Sequence, residues 1–164
     1  MNYLEQLAVE WYSFQGYFVR SNVRARKRDR GGWDAELDVL AYKPKGQRLL
    51  HVELSGDSNP WQVRKSRFVT KKFIFTRAEY EDLLGLGIQT LERIAVVGYS
   101  RTSVADRKWG DEIRVVLVPE FLQVIADHIR KLGGPMHNVI PEGFPILRTV
   151  QAVAHWVRDS NACV

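Results

Sequence analysis

Residues 34–55 read DAELDVLAYKPKGQRLLHVELS, which is two apolar runs joined by a turn that contains proline and glycine. In the first run Asp34, Glu36 and Asp38 alternate with apolar residues, a pattern that predicts a strand with its acids on one face. The second run also predicts a strand, yet it carries Glu53 among apolar neighbours. A carboxylate in such a strand is costly unless it is paired or bound to a cation. Because a short turn joins the two strands, we expect Asp38 and Glu53 to lie within reach of each other.

The segment before this pair predicts a helix and a strand. Apolar residues at helical spacing over Tyr3–Phe14 indicate an amphipathic helix, and Gly16 ends it. The sequence YFVRSNV at 17–23 predicts the first strand. We interpret RARKRDRGG at 24–32 as a turn or flexible loop.

The segment after the pair predicts a helix-rich remainder. Asn59, as an N-cap followed by Pro60, predicts the start of a basic helix that extends to about Lys72. A short helix, two strands and two helices follow, and IAVVGY at 94–99 is the expected buried central strand. This order predicts an α/β fold, a mixed sheet flanked by helices.

Length and composition limit the class of protein. The 164 residues fit a single domain spanning 1–164. Cys163 is the one cysteine, no signal peptide opens the sequence, and no apolar run is long enough to cross a bilayer. We therefore expect a cytoplasmic protein with no membrane partner.

The positive charge is concentrated in two segments. Residues 20–30 hold six basic residues and one acid, and residues 61–77 hold six basic residues and no acid, within a chain of net charge +5. Such clusters suit a nucleic-acid backbone, although a solvated charged face is the alternative. The residues predicted to contact nucleic acid are Arg24, Arg26, Lys27, Arg28, Arg30, Arg64 and Lys71.

Four of these features occur together in a known superfamily. Glu10 on the first helix, GYFVRSNVR at 16–24, ELD ending at Asp38, and VEL containing Glu53 resemble the PD-(D/E)XK nuclease superfamily. Within it, the Holliday-junction-resolvase-like branch has the same order of motifs. The resemblance covers about residues 1–77 and implies a restriction-endonuclease-like fold.

The resemblance implies a metal-dependent nuclease that hydrolyses phosphodiester bonds, in DNA rather than RNA. Asp38, Glu53 and the backbone carbonyl of Leu54 would hold Mg²⁺ or Mn²⁺, with Glu10 contributing directly or through water. Oxygen ligands suit these hard cations. Members of the superfamily often act as dimers, so a homodimer is a further expectation.

The sequence departs from the superfamily at Ser55, where the motif has lysine. A serine hydroxyl can bind water but supplies no charge. Three explanations stay open. The cation has moved to Lys65 or Lys72 of the basic helix, the metal alone activates water, or the protein has lost catalysis and acts as a nucleic-acid-binding or assembly module. A phosphate-transfer or structural protein with a coincidental motif match is a further, less favoured hypothesis, and a fold with Asp38 and Glu53 far apart would establish it.

Three other residues have alternative roles. His51 is either a metal ligand or general base, or the hydrogen-bonded partner of a site carboxylate. Glu36 is either a further ligand or an ion-pair partner of a nearby arginine. Glu5 competes with Glu10 for the helix position, and we favour Glu10.

Overall fold

The computed structural model describes residues 2–98, 108–110 and 112–156. Tyr99 and Cys163, which are named in the sequence analysis, lie outside these ranges. The helices in the described ranges are α1 (Tyr3–Phe14), α2 (Trp61–Arg67), α3 (Arg77–Leu84), α4 (Val118–Leu132) and α5 (Pro145–Trp156). The strands there are β1 (Phe18–Lys27), β2 (Trp33–Lys43), β3 (Arg48–Ser55), β4 (Thr90–Val97), β5 (Lys108–Trp109) and β6 (Ile113–Leu117).

The described strands form one mixed sheet in the order β1-β2-β3-β4-β6-β5. Pairing is antiparallel between β1 and β2, between β2 and β3, and between β5 and β6, whereas β3–β4 and β4–β6 are parallel. Every residue from Leu49 to Leu54 of β3 is buried, as are Ile94 to Val97 of β4. The α/β class with a mixed sheet flanked by helices is therefore confirmed, with β3 and β4 at its centre.

Strand β1 is longer than its sequence indicated. The turn or loop expected to begin at Arg24 is wrong for its first four residues, because β1 continues to Lys27, which pairs with Trp33. Ala25 is buried and pairs with Ala35 across the hairpin. Burial of this small apolar residue and its cross-strand pairing outweigh the loop-like composition of the basic run.

Helix α1 carries Glu10 on its buried side. Asn2 and Glu5 form a reciprocal capping box at its start, and Gly16 follows its end with φ of 79°. Glu10 is 2 % exposed, so it is not a surface residue of the helix. Since Glu5 serves the helix cap, Glu10 is the acid that α1 carries into the interior.

The basic helix has two parts. After α2, residues Phe68–Lys72 form a π-helical turn in which Phe73 N donates to Phe68 O at 2.9 Å. The predicted N-cap at Asn59 is wrong, because Pro60 occupies the cap position without a side-chain hydrogen bond. Asn59 N instead donates to Asp57 Oδ1 at 3.0 Å, the Asx-turn that Gly-Asp-Ser favours.

The chain divides into two compact units, residues 1–118 and 119–164. In the second unit Gln151 is buried and hydrogen-bonded, since its Nε2 donates to Asn138 O at 2.7 Å and its Oε1 accepts from Ile140 N at 3.1 Å. The single domain spanning 1–164 stays a prediction. Within the described residues, no helix is both long and apolar enough to span a bilayer.

Candidate functional site

The β2–β3 pairing brings Asp38 and Glu53 together. Val39 lies opposite Val52, so the same register places Asp38 beside Glu53. Asp38 N donates to Glu53 Oε1 at 3.2 Å, and Leu54 N donates to Asp38 Oδ2 at 2.9 Å. Each carboxylate is thus fixed by a backbone amide of the strand that carries the other. The expected proximity is confirmed, and the wide separation that would establish a coincidental motif match is not found.

Lys72 reaches both carboxylates from the end of the π-helical turn. Its Nζ lies 2.6 Å from Glu53 Oε2 and 3.1 Å from Asp38 Oδ1, and it also donates to Glu36 O at 3.4 Å. The contact with Glu53 Oε2 is an ion pair, and its angles are not those of a hydrogen bond. An ammonium therefore lies where the two acidic side chains converge.

Burial and charge perturb all three groups. Burial and the Glu53 carboxylate raise the pKa of Asp38 from 3.8 to about 7, against the opposing effects of the Leu54 amide and Lys72. Burial also acts to raise the pKa of Glu53, but its contacts with His51 and Lys72 outweigh burial and lower it. Burial opposes the charge of Lys72, yet Glu53 and Asp38 raise its pKa. The unlike behaviour of the two acids means that Asp38 takes up a proton far more readily than Glu53.

His51 links Glu53 to helix α3. Its Nε2 lies 2.8 Å from Glu53 Oε1, and its Nδ1 lies 2.6 Å from the Tyr80 hydroxyl. All three side chains are buried. Of the two roles open for His51, the structure gives that of a hydrogen-bonded partner of a site carboxylate.

Ser55 is bound to its own small network. Its hydroxyl contacts the Asp57 carboxylate and accepts from Arg67 Nη2 at 2.8 Å, and Arg67 Nη2 lies 2.5 Å from Asp57 Oδ2. The Ser55 and Arg67 contacts lower the pKa of Asp57 to about 2, despite the opposing effect of its partial burial. A guanidinium and a carboxylate thus flank the position where the motif has lysine.

The donor set fits a divalent cation only in part. Among the residues that the structure describes, no group of three or more His, Cys, Asp or Glu side chains could hold a metal ion. Asp38 and Glu53 supply two carboxylates, and Mg²⁺ is commonly held by one or two carboxylates together with water and substrate phosphates. The pair thus supplies two of the oxygen ligands of such an ion, and the remaining ligands would have to come from the backbone, water or substrate.

Other acids predicted near the site have separate partners. Asp34 pairs with Arg28, and Glu36 lies 3.9 Å from Arg24, so Glu36 takes the ion-pair role. Glu10 Oε1 accepts from Gln6 Nε2 at 3.2 Å. A contribution of Glu10 to a metal site stays a prediction.

The basic residues differ in their exposure. Arg26 is exposed and pairs with Glu79 at 2.7 Å, and Lys27, Arg30 and Lys71 are exposed as well. Arg64 is only 5 % exposed and lies over the Trp61 ring at 5.4 Å. The phosphate contact predicted for Arg64 needs an exposed guanidinium, whereas this side chain packs on the buried face of α2.

Comparisons with known proteins add the following. No family model matches the chain, and no curated protein matches it. One solved structure that resembles it is the crystal structure of a protein of unknown function, AF1548, at 13 % identity and a TM-score of 0.47. That match covers 85 % of this chain and 71 % of the other.

Sequence reasoning did not single out Tyr80 and Arg67. Tyr80 lies at an apolar position of α3, where the sequence pattern predicts a tyrosine of the hydrophobic core. Arg67 belongs to the basic helix, but its composition does not show which arginine turns toward Ser55. Buried His51 was the available signal for Tyr80, since a buried imidazole needs partners for both ring nitrogens.

Proposed function

We propose that this chain is a metal-dependent nuclease that hydrolyses phosphodiester bonds in DNA. The observation that carries the proposal is the convergence of Lys72 with Asp38 and Glu53. It supports the hypothesis that the cation of the motif has moved from position 55 to the basic helix, and it favours Lys72 over Lys65. A restriction-endonuclease-like fold, a homodimer and a cytoplasmic location belong to the same proposal.

The roles follow from the contacts. Asp38 and Glu53 would hold Mg²⁺ or Mn²⁺, with the Leu54 carbonyl as a further ligand. When bound, such an ion polarises the scissile phosphate and lowers the pKa of an attacking water. Lys72 supplies a positive charge beside the two acids, where negative charge develops in phosphoryl transfer.

The basic side chains serve to hold the substrate. Lys27 and Arg30 at the β1–β2 turn and Lys71 beside the site are exposed. Exposed ammonium and guanidinium groups bind phosphates and release counterions, which is independent of base sequence. We therefore assign DNA-backbone contact to this group and the chemistry to Asp38, Glu53 and Lys72.

A second function has observations in its favour. The Ser55 hydroxyl is neutral and already bound to Arg67 and Asp57. Lys72 also balances the two carboxylates without any metal. These features suit a nuclease fold that has lost catalysis and serves as a nucleic-acid-binding or assembly module.

The deciding experiment is cleavage of labelled linear, branched and single-stranded DNA with Mg²⁺ and then Mn²⁺. Wild type is compared with Glu53→Gln, and with Glu92→Gln as a control, because Glu92 pairs with Arg48 on the same sheet outside the site. Cleavage by wild type and Glu92→Gln but not by Glu53→Gln supports the nuclease. Salt-sensitive binding by all three proteins without cleavage establishes the binding module. If the proteins neither bind nor cleave DNA, both hypotheses are refuted.

A further inference from the structure

We propose that His51 and Tyr80 are positioning residues that fix the Glu53 carboxylate so that its Oε2 faces Lys72 and the cation site. This inference rests on the proposed function. It assigns to helix α3 a part in the site, although α3 carries none of the motif residues.

Buried contacts run without interruption from Glu53 through His51 to Tyr80. Glu53 Oε1, the His51 ring and the Tyr80 hydroxyl are joined by separations of 2.8 Å and 2.6 Å. The His51 ring also packs edge-on against Phe73, with 4.9 Å between ring centroids, and against Tyr80 at 5.5 Å. Aromatic packing on two sides therefore restricts rotation of the imidazole.

The two hydrogen bonds of the His51 ring have directions set by their partners. An ionised carboxylate only accepts, so His51 Nε2 donates to Glu53 Oε1. The Tyr80 hydroxyl can both donate and accept, and it completes Nδ1 whichever protonation state the ring has. The imidazole thus has partners on both sides, and its orientation is defined by two contacts.

The two carboxylate oxygens of Glu53 have different partners. Its Oε1 accepts from His51 and from Asp38 N, whereas its Oε2 lies 2.6 Å from Lys72 Nζ. One oxygen is anchored by the imidazole and a backbone amide, and the other contacts the ammonium of Lys72. Without His51 the anchoring of Oε1 depends on the 3.2 Å contact with Asp38 N. Groups that orient a metal-binding side chain in this way commonly change metal affinity by about 10- to 100-fold when removed.

The test measures Mn²⁺ affinity by electron paramagnetic resonance, alongside thermal unfolding and DNA cleavage. Tyr80→Phe removes the hydroxyl and keeps the ring, and Tyr42→Phe is the matched control, because the Tyr42 hydroxyl donates to Gly87 O at 3.0 Å. We expect Tyr80→Phe to weaken Mn²⁺ binding about tenfold relative to Tyr42→Phe.

A second pair of variants separates positioning from packing. His51→Gln keeps an amide donor for Glu53, whereas His51→Leu has none, so we expect His51→Gln to retain more Mn²⁺ affinity than His51→Leu. Comparison is made among variants that unfold at similar temperatures. Suppose that wild type binds Mn²⁺ and cleaves DNA, that Tyr80→Phe and Tyr42→Phe have equal Mn²⁺ affinity, and that His51→Gln and His51→Leu do too. The positioning role is then refuted and the nuclease stands. If wild type neither binds Mn²⁺ nor cleaves, the proposed function fails and this inference fails with it.

Discussion

The ammonium of Lys72 lies 2.6 Å from Oε2 of Glu53, although the two residues belong to different elements of the chain. The π-helical turn that ends at Lys72 accounts for this approach, because bonding from residue i to i+5 widens the helix and changes which side chains face the sheet. Lys65 precedes the turn and has no such contact among the described residues. The heptad spacing of Lys65 and Lys72 therefore does not make them equivalent.

We expect Lys72→Ala to reduce cleavage by roughly 100- to 1,000-fold, the usual cost of removing one group that stabilises transition-state charge. Lys65→Ala is the control, since it removes a lysine from the same helix at a position away from the carboxylates. Single-turnover cleavage measures both, and binding of uncleaved DNA in EDTA checks that affinity is retained. Equal losses in the two variants would contradict the assignment of Lys72.

A lysine returned to position 55 tests whether the charge is transferable. We expect Ser55→Lys to recover part of the activity lost in Lys72→Ala, because it places an ammonium on the strand face that carries Glu53. In the wild-type background the same change brings a second cation beside Arg67 and yields no comparable gain. Single-turnover rates of the four proteins form a double-mutant cycle. Independent, additive effects of the two substitutions would count against a shared role.

The pairing of the two acids was predictable from sequence, whereas the groups that complete the site were not. Alternation in β2 and a short turn before β3 suffice to place Asp38 beside Glu53. The π-helical turn at Lys72 has no local signature, because it depends on packing of Phe68, which contacts Trp109 from a distant strand at 5.1 Å between ring centroids. The register of Tyr80 against His51 is likewise tertiary.

Helix rotation explains the outcome for the arginines. Arg64 and Arg67 are three residues apart and look alike in sequence, yet Arg64 is buried over Trp61 while Arg67 reaches Ser55. Packing of the apolar side of α2 decides which guanidinium turns inward. Composition alone does not distinguish the two arginines. The loop predicted over Arg24–Lys27 is wrong for a related reason, because strand pairing with β2 is a non-local interaction.

The raised pKa of Asp38 predicts how stability of the metal-free protein depends on pH. Between pH 5 and about 7 the folded state keeps a proton that the unfolded state, with a pKa of 3.8, has lost. The unfolded state then binds fewer protons, so Asp38 makes the free energy of unfolding fall as pH rises, by at most about 1.4 kcal/mol per pH unit, and the effect levels off above about 7.

Urea unfolding in EDTA across this range measures the effect, as the difference between wild type and Asp38→Asn. Asp57→Asn is the control, because the pKa of Asp57 is about 2 and its titration lies outside the window. We expect the difference from Asp38→Asn to vary with pH and the difference from Asp57→Asn to stay constant. A constant difference for Asp38→Asn would contradict the raised pKa.

The last prediction concerns two exposed basic residues, Lys27 at the end of β1 and Arg30 in the β1–β2 turn. Among the described residues Lys27 and Arg30 form no ion pair, whereas Arg26 is paired with Glu79. Substituting Lys27 or Arg30 by alanine is expected to reduce the slope of log K against log salt by about 1 each, because each contact with a phosphate releases counterions. Arg26→Ala should change it less, since Glu79 already offsets that charge. Fluorescence anisotropy over a salt series measures the slopes, with exposed Lys45 in the β2–β3 turn as the single-charge control. If Lys45→Ala lowers the slope as much as Lys27→Ala, the effect is one of net charge and the turn is not a DNA contact.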